Sequence, residues 1–399
     1  IERVTESWAE ATWDAGRRFG TIGVFRKGRR YEITTHRKDY YTPDSRRPEV
    51  DFTSAIEEDL MRRDFTVNSL AISLPEPELI DPAGGLEDLA ARRLRTPGPP
   101  EVSFDDDPLR MLRAARFIST HGLCPTPDLT QAVVDMRARL AMISAERIRD
   151  ELDKLIVGPQ VGDGLRFIVE TGLAEFFLPE LPALSLTQDP VHRHKDVLAH
   201  TIAVVEKTSP DRLLRLAALF HDVGKPATRH IGPDGVSFHN HDVVGARLTK
   251  RRLRELRYPT EDIATVSELV RLHMRFHTYG LGWTDRAVRR YVRDAGPLYA
   301  RLNELVRCDC TTRNATKAAA LGRRMDELEQ RVRELAEQEE LDRIRPDLDG
   351  VEVMSLLGIR PGREVGQALD FLMDLRMEYG PLGKERATEE LLRWGAERQ

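Results

Sequence analysis

Strand-forming patterns in this chain are confined to about the first 95 residues, and this division constrains the fold more than any other feature. The segment 20–35 has two short β-branched runs around a Lys-Gly turn, which predicts a β-hairpin. The segment 1–18 has the apolar spacing of a helix. After the break at 97–100, which contains three prolines, nearly every segment predicts helix, and Asp107-Pro108 is a typical helix start. The sequence therefore predicts an α+β head followed by a long helical body.

The composition is that of a multidomain protein with a charged surface. The chain has 399 residues, 40% hydrophobic and 32% charged, which suits two to four domains with small cores. No apolar run approaches the roughly 20 residues that span a bilayer. Its three cysteines include no CxxC pair and no disulfide framework, so we expect a cytoplasmic protein without a membrane partner. The net charge of -5 means that a nucleic acid would have to be bound by local basic patches.

Histidines are concentrated in one part of the helical body. Nine of the eleven lie within residues 192–277. His221 and Asp222 follow an apolar helical run and precede Gly224 and Pro226, which end a helix. The adjacent pair is therefore expected in a last helical turn, where both side chains can point toward one ion.

A metal ion needs more than these two ligands, and other residues can supply them. His200 lies about one helix upstream, and Asp309 lies far downstream on another predicted helix. His241 and His273 are further candidates, as metal ligands or as groups that hold a phosphate. Two histidines with two carboxylates suit Mg, Mn, Ni, Zn or Fe. Each histidine alone could be an ordinary surface or capping residue, but the whole set favours a metal site.

The order of these residues resembles the HD phosphohydrolase superfamily. That resemblance implies an all-helical domain whose metal activates water, with the ligands His200, His221, Asp222 and Asp309. It also implies that Lys225 faces a phosphate, as a weak candidate for a catalytic role.

A second group of polar residues is the segment RRDFTVNS at 62–69. It places two guanidinium groups, a carboxylate and an amide within about two helical turns. Arginine binds phosphate in a bidentate manner, and Asp64 and Asn68 suit ribose hydroxyls. Alternatively, these residues form an exposed ion pair and a turn.

A third group lies at the start of the first long helix. Arg110, Arg113 and Arg116 recur at every third position and form one stripe. Asp107 and Arg110 can together present acceptors and donors to the edge of a base. The alternative is that Asp107 only caps the helix and that the arginines are solvated.

These segments, with DPAGGLEDL at 81–89 between them, closely resemble the class II tRNA nucleotidyltransferase and bacterial poly(A) polymerase family over about residues 1–185. RRDFTVNS matches the family's RRDFTxNA, DPAGGLEDL its DPxxGxxDL, and DDPLRMLRAARF its EDPLRxLRAxRF. The resemblance implies ribose recognition by the first motif and selection of CTP and ATP by Asp107 and Arg110. Asp106 stands where the family has Glu. The predicted nucleotide-binding residues are Arg62, Arg63, Asp64, Asn68, Asp106, Asp107, Arg110, Arg113 and Arg116.

The family's reaction depends on two metal ions, Mg²⁺ in our prediction, held by two aspartates of a DxD strand ahead of the hairpin. This sequence begins at Ile1 and contains neither that strand nor its Gly-Gly turn. We therefore expect that an N-terminal segment is absent and that the 399-residue chain by itself does not transfer nucleotides. Glu32 is an additional acidic candidate near the metals, although it can equally be an ordinary exposed strand residue.

The resemblances together imply four domains. They are a truncated nucleotidyltransferase head at 1–95, a helical neck at 96–186, an HD domain at 187–315 and a helical tail contacting tRNA at 316–399. The expected activity is CCA addition to the tRNA 3′ end from CTP and ATP. The HD domain would hydrolyse 2′,3′-cyclic or 2′-phosphates with a divalent transition metal such as Ni²⁺ or Mn²⁺. Two alternatives stay open: a poly(A) polymerase, and an HD phosphohydrolase whose head only binds RNA.

Overall fold

The computed structural model describes residues 5, 7–14, 16, 20–40, 49–52, 55–186, 196–232, 235–278, 284–310, 315–339 and 345–397. Its fold is α+β, as predicted, because most of the short strands precede residue 95 and helices form most of the rest. The strands are β1 Ala11–Asp14, β2 Thr21–Arg26, β3 Arg29–Thr34, β4 Arg37–Tyr40, β5 Glu49–Phe52, β6 Ala71–Ile72, β7 Leu79–Ile80, β8 Arg93–Leu94, β9 Cys124–Pro125, β10 Arg229–Gly232 and β11 Gly235–Phe238.

The helices divide between two compact units, one formed by 1–182 with 255–257 and the other by the rest of the chain. The helices before residue 183 are α1 Ile56–Met61, α2 Gly85–Ala90, α3 Pro100–Asp106, α4 Leu109–His121, α5 Pro127–Met136, α6 Ala145–Ile156 and α7 Val161–Glu170. Those after it are α8 Val197–Lys207, α9 Arg212–Phe220, α10 Lys225–Thr228, α11 His241–Glu255, α12 Thr260–Leu272, α13 Asp285–Ala295, α14 Tyr299–Asp309, α15 Ala315–Glu339, α16 Gly350–Leu357, α17 Arg363–Tyr379 and α18 Lys384–Ala396.

The predicted hairpin is formed by β2 and β3, which pair antiparallel with Arg26 opposite Arg29. The two residues between them, Lys27 and Gly28, have φ angles of 47° and 74°. Positive φ at both positions is the backbone of a two-residue turn whose twist matches that of the strands. The Lys-Gly pair therefore sets the register of β3, on which Glu32 lies.

The helix predicted over 1–18 was wrong in its second half, because Ala11–Asp14 form β1 and pair antiparallel with β2. Trp13 lies against Gly23, where an added Cβ atom would come within 2.0 Å of the indole ring. Pairing with β2 and this close contact outweigh the local helical pattern, since strand preference depends strongly on cross-strand packing. Residues 1–4, 6, 15, 17 and 18 of that prediction lie outside the described residues.

The core of the first unit is built around α4, which packs against α6 and α7. Met111, Leu112 and Ala115 are buried on α4, and Leu152 is buried on α6. At Gly164 on α7 an added Cβ atom would lie 2.9 Å from the carbonyl oxygen of Ala115, so only glycine allows this close approach. The packing fixes the first turn of α4, where the predicted base-reading residues lie.

The second unit has a helical core in which α9 packs against α8, α12 and α14. Side chains of Asp196 and Asp211 cap α8 and α9 by accepting hydrogen bonds from backbone N–H groups of the first turn. Helix α9 ends at Phe220, so His221 caps it and Asp222 lies just beyond it, one turn earlier than the sequence predicted. At Gly224, just beyond it, an added Cβ atom would lie 2.1 Å from the carbonyl oxygen of His241. This close contact brings the turn after α9 against the start of α11.

The last three helices, α16 to α18, share a small core of their own. Val353, Leu372 and Leu391 are buried in it. Asp349 begins α16 with a reciprocal capping box in which Glu352 takes part. Among the described residues, no helix is both long and apolar enough to cross a membrane.

Candidate functional site

The first unit contains a cleft of about 790 Å³ in which the RRDFTVNS segment meets the start of α4 and strand β3. Seven of the nine predicted nucleotide-binding residues line it, and so does Glu32. Asp106 and Arg116 do not line it. The lining polar and charged residues are Thr21, Glu32, Thr34, Thr35, His36, Asp59, Arg62, Arg63, Asp64, Asn68, Asp107, Arg110, Arg113 and Arg147.

Two arginines of the cleft are oriented by one buried carboxylate that the sequence analysis missed. Asp59, on α1, is 4% exposed and accepts a hydrogen bond from Arg62 at 2.6 Å and one from Arg63 at 3.3 Å. Arg63 also donates to the backbone oxygen of Asn68 at 3.1 Å. Asp59 precedes Arg62 by three residues and Arg63 by four, and this helical spacing could have revealed it. The two guanidinium groups are thereby held at the cleft wall.

Asp64 connects the RRDFTVNS segment to α4. Its Oδ1 accepts a hydrogen bond from the Asn68 amide at 3.2 Å, and its Oδ2 accepts one from Nε of Arg113 at 2.8 Å. Burial by itself would lower the pKa of the Arg113 guanidinium, but the Asp64 carboxylate raises it above its usual value. Asp64, Asn68 and Arg113 therefore form one hydrogen-bonded cluster at the cleft.

The predicted base-reading pair lies side by side at the cleft. Asp107 accepts hydrogen bonds from the backbone N–H of Leu109 at 3.2 Å and from Arg147 at 2.7 Å. Arg110 donates to Ser103 Oγ at 2.8 Å and to the backbone oxygen of Arg62 at 2.6 Å. Asp107 thus caps α4, as the alternative interpretation held, and it also faces the cleft. Arg147 comes from α6, and no local pattern near Asp107 indicates it.

Arg116 points away from the cleft into a second charged cluster centred on Glu151. This carboxylate is 3% exposed and lies 3.1 Å from Arg116, 3.5 Å from Arg113 and 3.2 Å from Lys154. Glu151 is far from α4 in the sequence. The sequence therefore left open the alternative that these arginines are solvated. Arg113 belongs to both clusters and connects the cleft to the core of the unit.

Glu32 differs from the other carboxylates of the cleft. Asp59, Asp64 and Asp107 each form an ion pair with arginine. Glu32 lies on β3 opposite Gly23 and is exposed. Its position at the cleft wall makes its carboxylate accessible to a bound cation.

The second unit brings all six predicted metal-binding residues together, in two groups of three. We call them the histidine–aspartate site: His200, His221, Asp222, His241, His273 and Asp309. In the first group, His200 on α8, His221 at the end of α9 and Asp309 at the end of α14 meet. His200 Nε2 lies 2.9 Å from Asp309 Oδ1 and 3.3 Å from His221 Nε2.

The second group consists of Asp222, His241 and His273. Nε2 of His241 lies 3.2 Å from Nε2 of His273 and 3.6 Å from Asp222 Oδ1. All three side chains are buried. Lys225 donates a hydrogen bond to Asp222 Oδ2 at 2.6 Å, so it lies at this site.

The electrostatics of the site favour a positive ion. Burial alone would lower the pKa of His221, but Asp222 and Asp309 raise it to about 10. Burial alone would raise the pKa of the Asp222 carboxyl, but His221 and Lys225 hold it far below its usual range. Burial and the nearby His221 lower the pKa of His273 to about 4, so its imidazole is neutral at pH 7. Two ionised carboxylates and a neutral imidazole are ligand types that bind divalent metals.

The hydrogen bonds of the imidazoles also fit a metal. The Nδ1 atoms of His221, His241 and His273 lie 2.6–2.8 Å from backbone oxygens. Because a carbonyl oxygen only accepts, each Nδ1 carries a hydrogen, and the ion would bind at Nε2. His221 would release its Nε2 proton when a metal binds. Metal-binding histidines typically have such a second hydrogen bond. The described residues therefore form possible metal-binding groups, as expected for a metal-dependent HD domain.

Comparisons with known proteins match both units. Family models match the poly A polymerase head domain at residues 1–95, the probable RNA and SrmB-binding site of polymerase A at 122–184, and the HD domain at 197–336.

Two curated relatives extend over most of the chain. The A-adding tRNA nucleotidyltransferase of Deinococcus radiodurans is 38% identical over 358 residues, which are 86% of this chain and 80% of the relative. The CC-adding tRNA nucleotidyltransferase of Thermus thermophilus is 35% identical over 370 residues, which are 88% and 81%. The solved structure of the Bacillus stearothermophilus CCA-adding enzyme in complex with CTP has a TM-score of 0.72 and 26% identity, covering 98% of this chain and 86% of that one.

Proposed function

Because the chain belongs to the tRNA nucleotidyltransferase family, we propose that the protein produced from its own gene adds CMP and AMP, taken from CTP and ATP, to the 3′ end of tRNA. The observation that carries this proposal is the cleft in which RRDFTVNS and the start of α4 place four arginines around one cavity, to which α6 adds Arg147. Arginine forks suit the oxygens of a triphosphate. In this reaction the terminal RNA hydroxyl attacks the α-phosphorus and loses its proton, and pyrophosphate leaves.

The contacts in the cleft support a role for each group of residues. We assign the phosphates to Arg62 and Arg63, which Asp59 orients, and the ribose to Asp64 and Asn68. Asp107 and Arg110 would read the base edge. Mg²⁺ would neutralise phosphate charge, and exposed Glu32 is our candidate ligand on the cleft wall. Asp106 and Arg116, which lie outside the cleft, would act only through their neighbours.

We further propose the division into head 1–95, neck 96–186, HD domain 187–315 and tail 316–399. The matched family models at 1–95 and 122–184 support the head and the neck, and the HD model at 197–336 extends into the proposed tail. The neck and tail would bind tRNA by shape and backbone charge. A cytoplasmic location is also proposed, and the free thiols of Cys124, Cys308 and Cys310 support it.

The geometry of the histidine–aspartate site favours a second activity, hydrolysis of 2′,3′-cyclic phosphates or 2′-phosphates with Ni²⁺ or Mn²⁺. A bound divalent ion lowers the pKa of water and so supplies a nucleophile. The water oxygen forms a bond to phosphorus, and the ester oxygen leaves and takes up a proton. Lys225, at 2.6 Å from Asp222, lies where its ammonium group can attract the phosphate.

The test of the first activity uses the protein produced from its own gene and three tRNA transcripts, which end before the CCA, after its first C and after its second C. We expect labelled CTP to extend the first two, and labelled ATP supplied together with CTP to complete all three. Long stretches of A would instead indicate a poly(A) polymerase. Addition of only C or only A would show that this chain performs part of the task, as its two relatives are named for doing. No incorporation into any transcript would contradict the proposal.

Replacing Asp107 with alanine should lower CTP and ATP incorporation about 10- to 100-fold, because one good base-edge contact contributes about 1–3 kcal/mol. Initial rates with each nucleotide measure the effect. Asp105→Ala is the matched control, since Asp105 is exposed and pairs with Arg139 outside the cleft. Equal rates for the two variants would show that Asp107 does not read the base.

Replacing His221 with alanine should abolish phosphate release from a nucleotide 2′-phosphate in the presence of Ni²⁺ or Mn²⁺. The side chain is 1% exposed and its Nε2 faces both His200 and Asp222. CTP incorporation into tRNA serves as the control for folding, and we expect it to persist. Unchanged phosphate release would exclude this site as its source.

A further inference from the structure

The sheet formed by β1, β2 and β3 turns one of its faces toward the nucleotide cleft. Its register places Trp13, Gly23 and Glu32 in one row across the three strands. Because cross-strand neighbours in a pleated sheet point to the same side, Trp13 and Glu32 share a face. Glu32 lines the cleft, and so do Thr21 and Thr34, which pair two residues further along the same face. Trp13 is not part of the cleft wall, so it lies at the border of the cleft.

The indole of Trp13 is held against the sheet by a glycine. A Cβ atom added to Gly23 would lie 2.0, 2.3 and 2.5 Å from three neighbouring atoms of the indole ring. Only glycine therefore allows the ring to lie so close over the strand. The tryptophan is nevertheless 38% exposed. An aromatic ring that rests on the backbone with its other side open can serve as a platform on which a nucleic-acid base stacks.

The neighbours of Trp13 on this face add a positive charge. Arg30 on β3 is exposed, pairs with Phe25 on β2 and lies on the same face as Glu32. Arg30 and Glu32 are two residues apart, which is about 7 Å along a strand. Proteins that bind single-stranded nucleic acid combine cations, which attract the phosphates, with aromatic rings, on which the bases stack. The face therefore suits a single-stranded RNA end better than a small neutral ligand.

The position of Trp13 indicates which of the two reactants it would bind. The base of the incoming nucleotide is assigned to Asp107 and Arg110, inside the cleft. Trp13 lies two strand spacings from Glu32, about 10 Å, where the other reactant must enter to bring its terminal hydroxyl to the α-phosphorus. The base at that RNA end changes with every nucleotide added. Stacking tolerates such changes because every base has a π face, whereas hydrogen-bonding groups would discriminate between bases.

We propose that Trp13 stacks on the terminal base of the tRNA 3′ end and so holds the terminal hydroxyl at the cleft, while Arg30 attracts a phosphate of the same strand. This inference rests on the proposed nucleotide transfer for the identity of the RNA. Its central contact, between one indole and one base, can be measured by binding alone, without any transfer.

The experiment removes the ring and the base separately and then together. It uses the protein produced from its own gene and two 5′-labelled tRNAs that end after the first C, one intact and one whose last ribose carries no base. Fluorescence anisotropy without CTP or ATP gives the Kd of each complex. Removing the base should raise the Kd of the wild type about 5- to 100-fold, the usual effect of losing one base–aromatic stack. Trp13→Ala should raise the Kd of the intact tRNA by a similar factor and leave that of the abasic tRNA unchanged, because the two changes remove the same contact.

Two further variants separate stacking from a structural role of the indole. Tyr31→Ala is the matched control, because Tyr31 is also 38% exposed but lies on the opposite face, where its ring meets that of Trp8 at 5.3 Å. It should leave both Kd values unchanged. Trp13→Phe keeps an aromatic ring and should restore most of the affinity that Trp13→Ala loses, and the KM for CTP should stay the same in both Trp13 variants.

The outcomes also separate this inference from the proposed transfer. An equal loss of affinity for intact and abasic tRNA in Trp13→Ala, or no loss for either, would overturn the stacking platform even if nucleotides are incorporated normally. A loss confined to the intact tRNA, in a protein that incorporates no nucleotide, would uphold the platform and refute the transfer.

Discussion

Asp222→Asn is expected to reduce metal-dependent phosphate release at least about 100-fold at saturating metal. Loss of a group that merely supports a metal ligand already costs about 10- to 100-fold. Asp222 is itself within 3.6 Å of three imidazoles and is paired with Lys225. The amide keeps the volume of the side chain but removes its negative charge, so the site loses an anionic ligand while the fold is retained.

The measurement is kcat/KM for a nucleotide 2′-phosphate over a series of Mn²⁺ concentrations. Asp242→Asn is the matched control, because Asp242 lies next to His241 on α11 and belongs to neither ligand group. Activity of Asp222→Asn within about tenfold of this control at high Mn²⁺ would contradict the assignment of Asp222 as a ligand. Circular dichroism of both variants checks that the helices are intact.

The structure brings the predicted metal-binding residues close together, although a local signal had placed only His221 and Asp222. Gly224 and Pro226 follow the apolar run and end a helix. His221 and Asp222 were therefore expected at a helix end. The predicted α+β fold and family membership are confirmed. What the sequence could not give is the division into two groups, which depends on how α8, α11, α12 and α14 pack around α9.

The nucleotide cleft was predictable as a set of residues but not as a set of contacts. Seven predicted residues line it. They were predictable because they belong to long motifs that occur in a fixed order. Asp59, Arg147 and Glu151 were missed, and they orient the arginines and Asp107. Two of these reach the site from α6, and contacts between distant helices leave no local pattern. The strand at Ala11–Asp14 was missed for the same reason, since its pairing with β2 is a tertiary interaction.

Glu151→Ala is expected to lower the free energy of unfolding of the first unit by about 3–5 kcal/mol, because removing one partner of a buried ion pair leaves the other charges uncompensated. The side chain is 3% exposed. It is the carboxylate nearest to Arg116, at 3.1 Å, and it also lies 3.5 Å from Arg113. Burial already lowers the pKa of the Arg116 guanidinium, which reflects the cost of keeping that charge away from water. Urea denaturation monitored by circular dichroism measures the loss.

The control for this effect is Lys154→Ala, which removes an ion pair with the same carboxylate from the solvent side. Lys154 lies 3.2 Å from Glu151 but is 53% exposed, so its loss should cost no more than about 1 kcal/mol. Because Arg113 reaches from Glu151 to Asp64 in the cleft, Glu151→Ala should also weaken CTP binding, whereas Lys154→Ala should leave it unchanged. Equal destabilisation by the two variants would mean that the Glu151 cluster is solvated, and that Arg113 is held at the cleft by Asp64 alone.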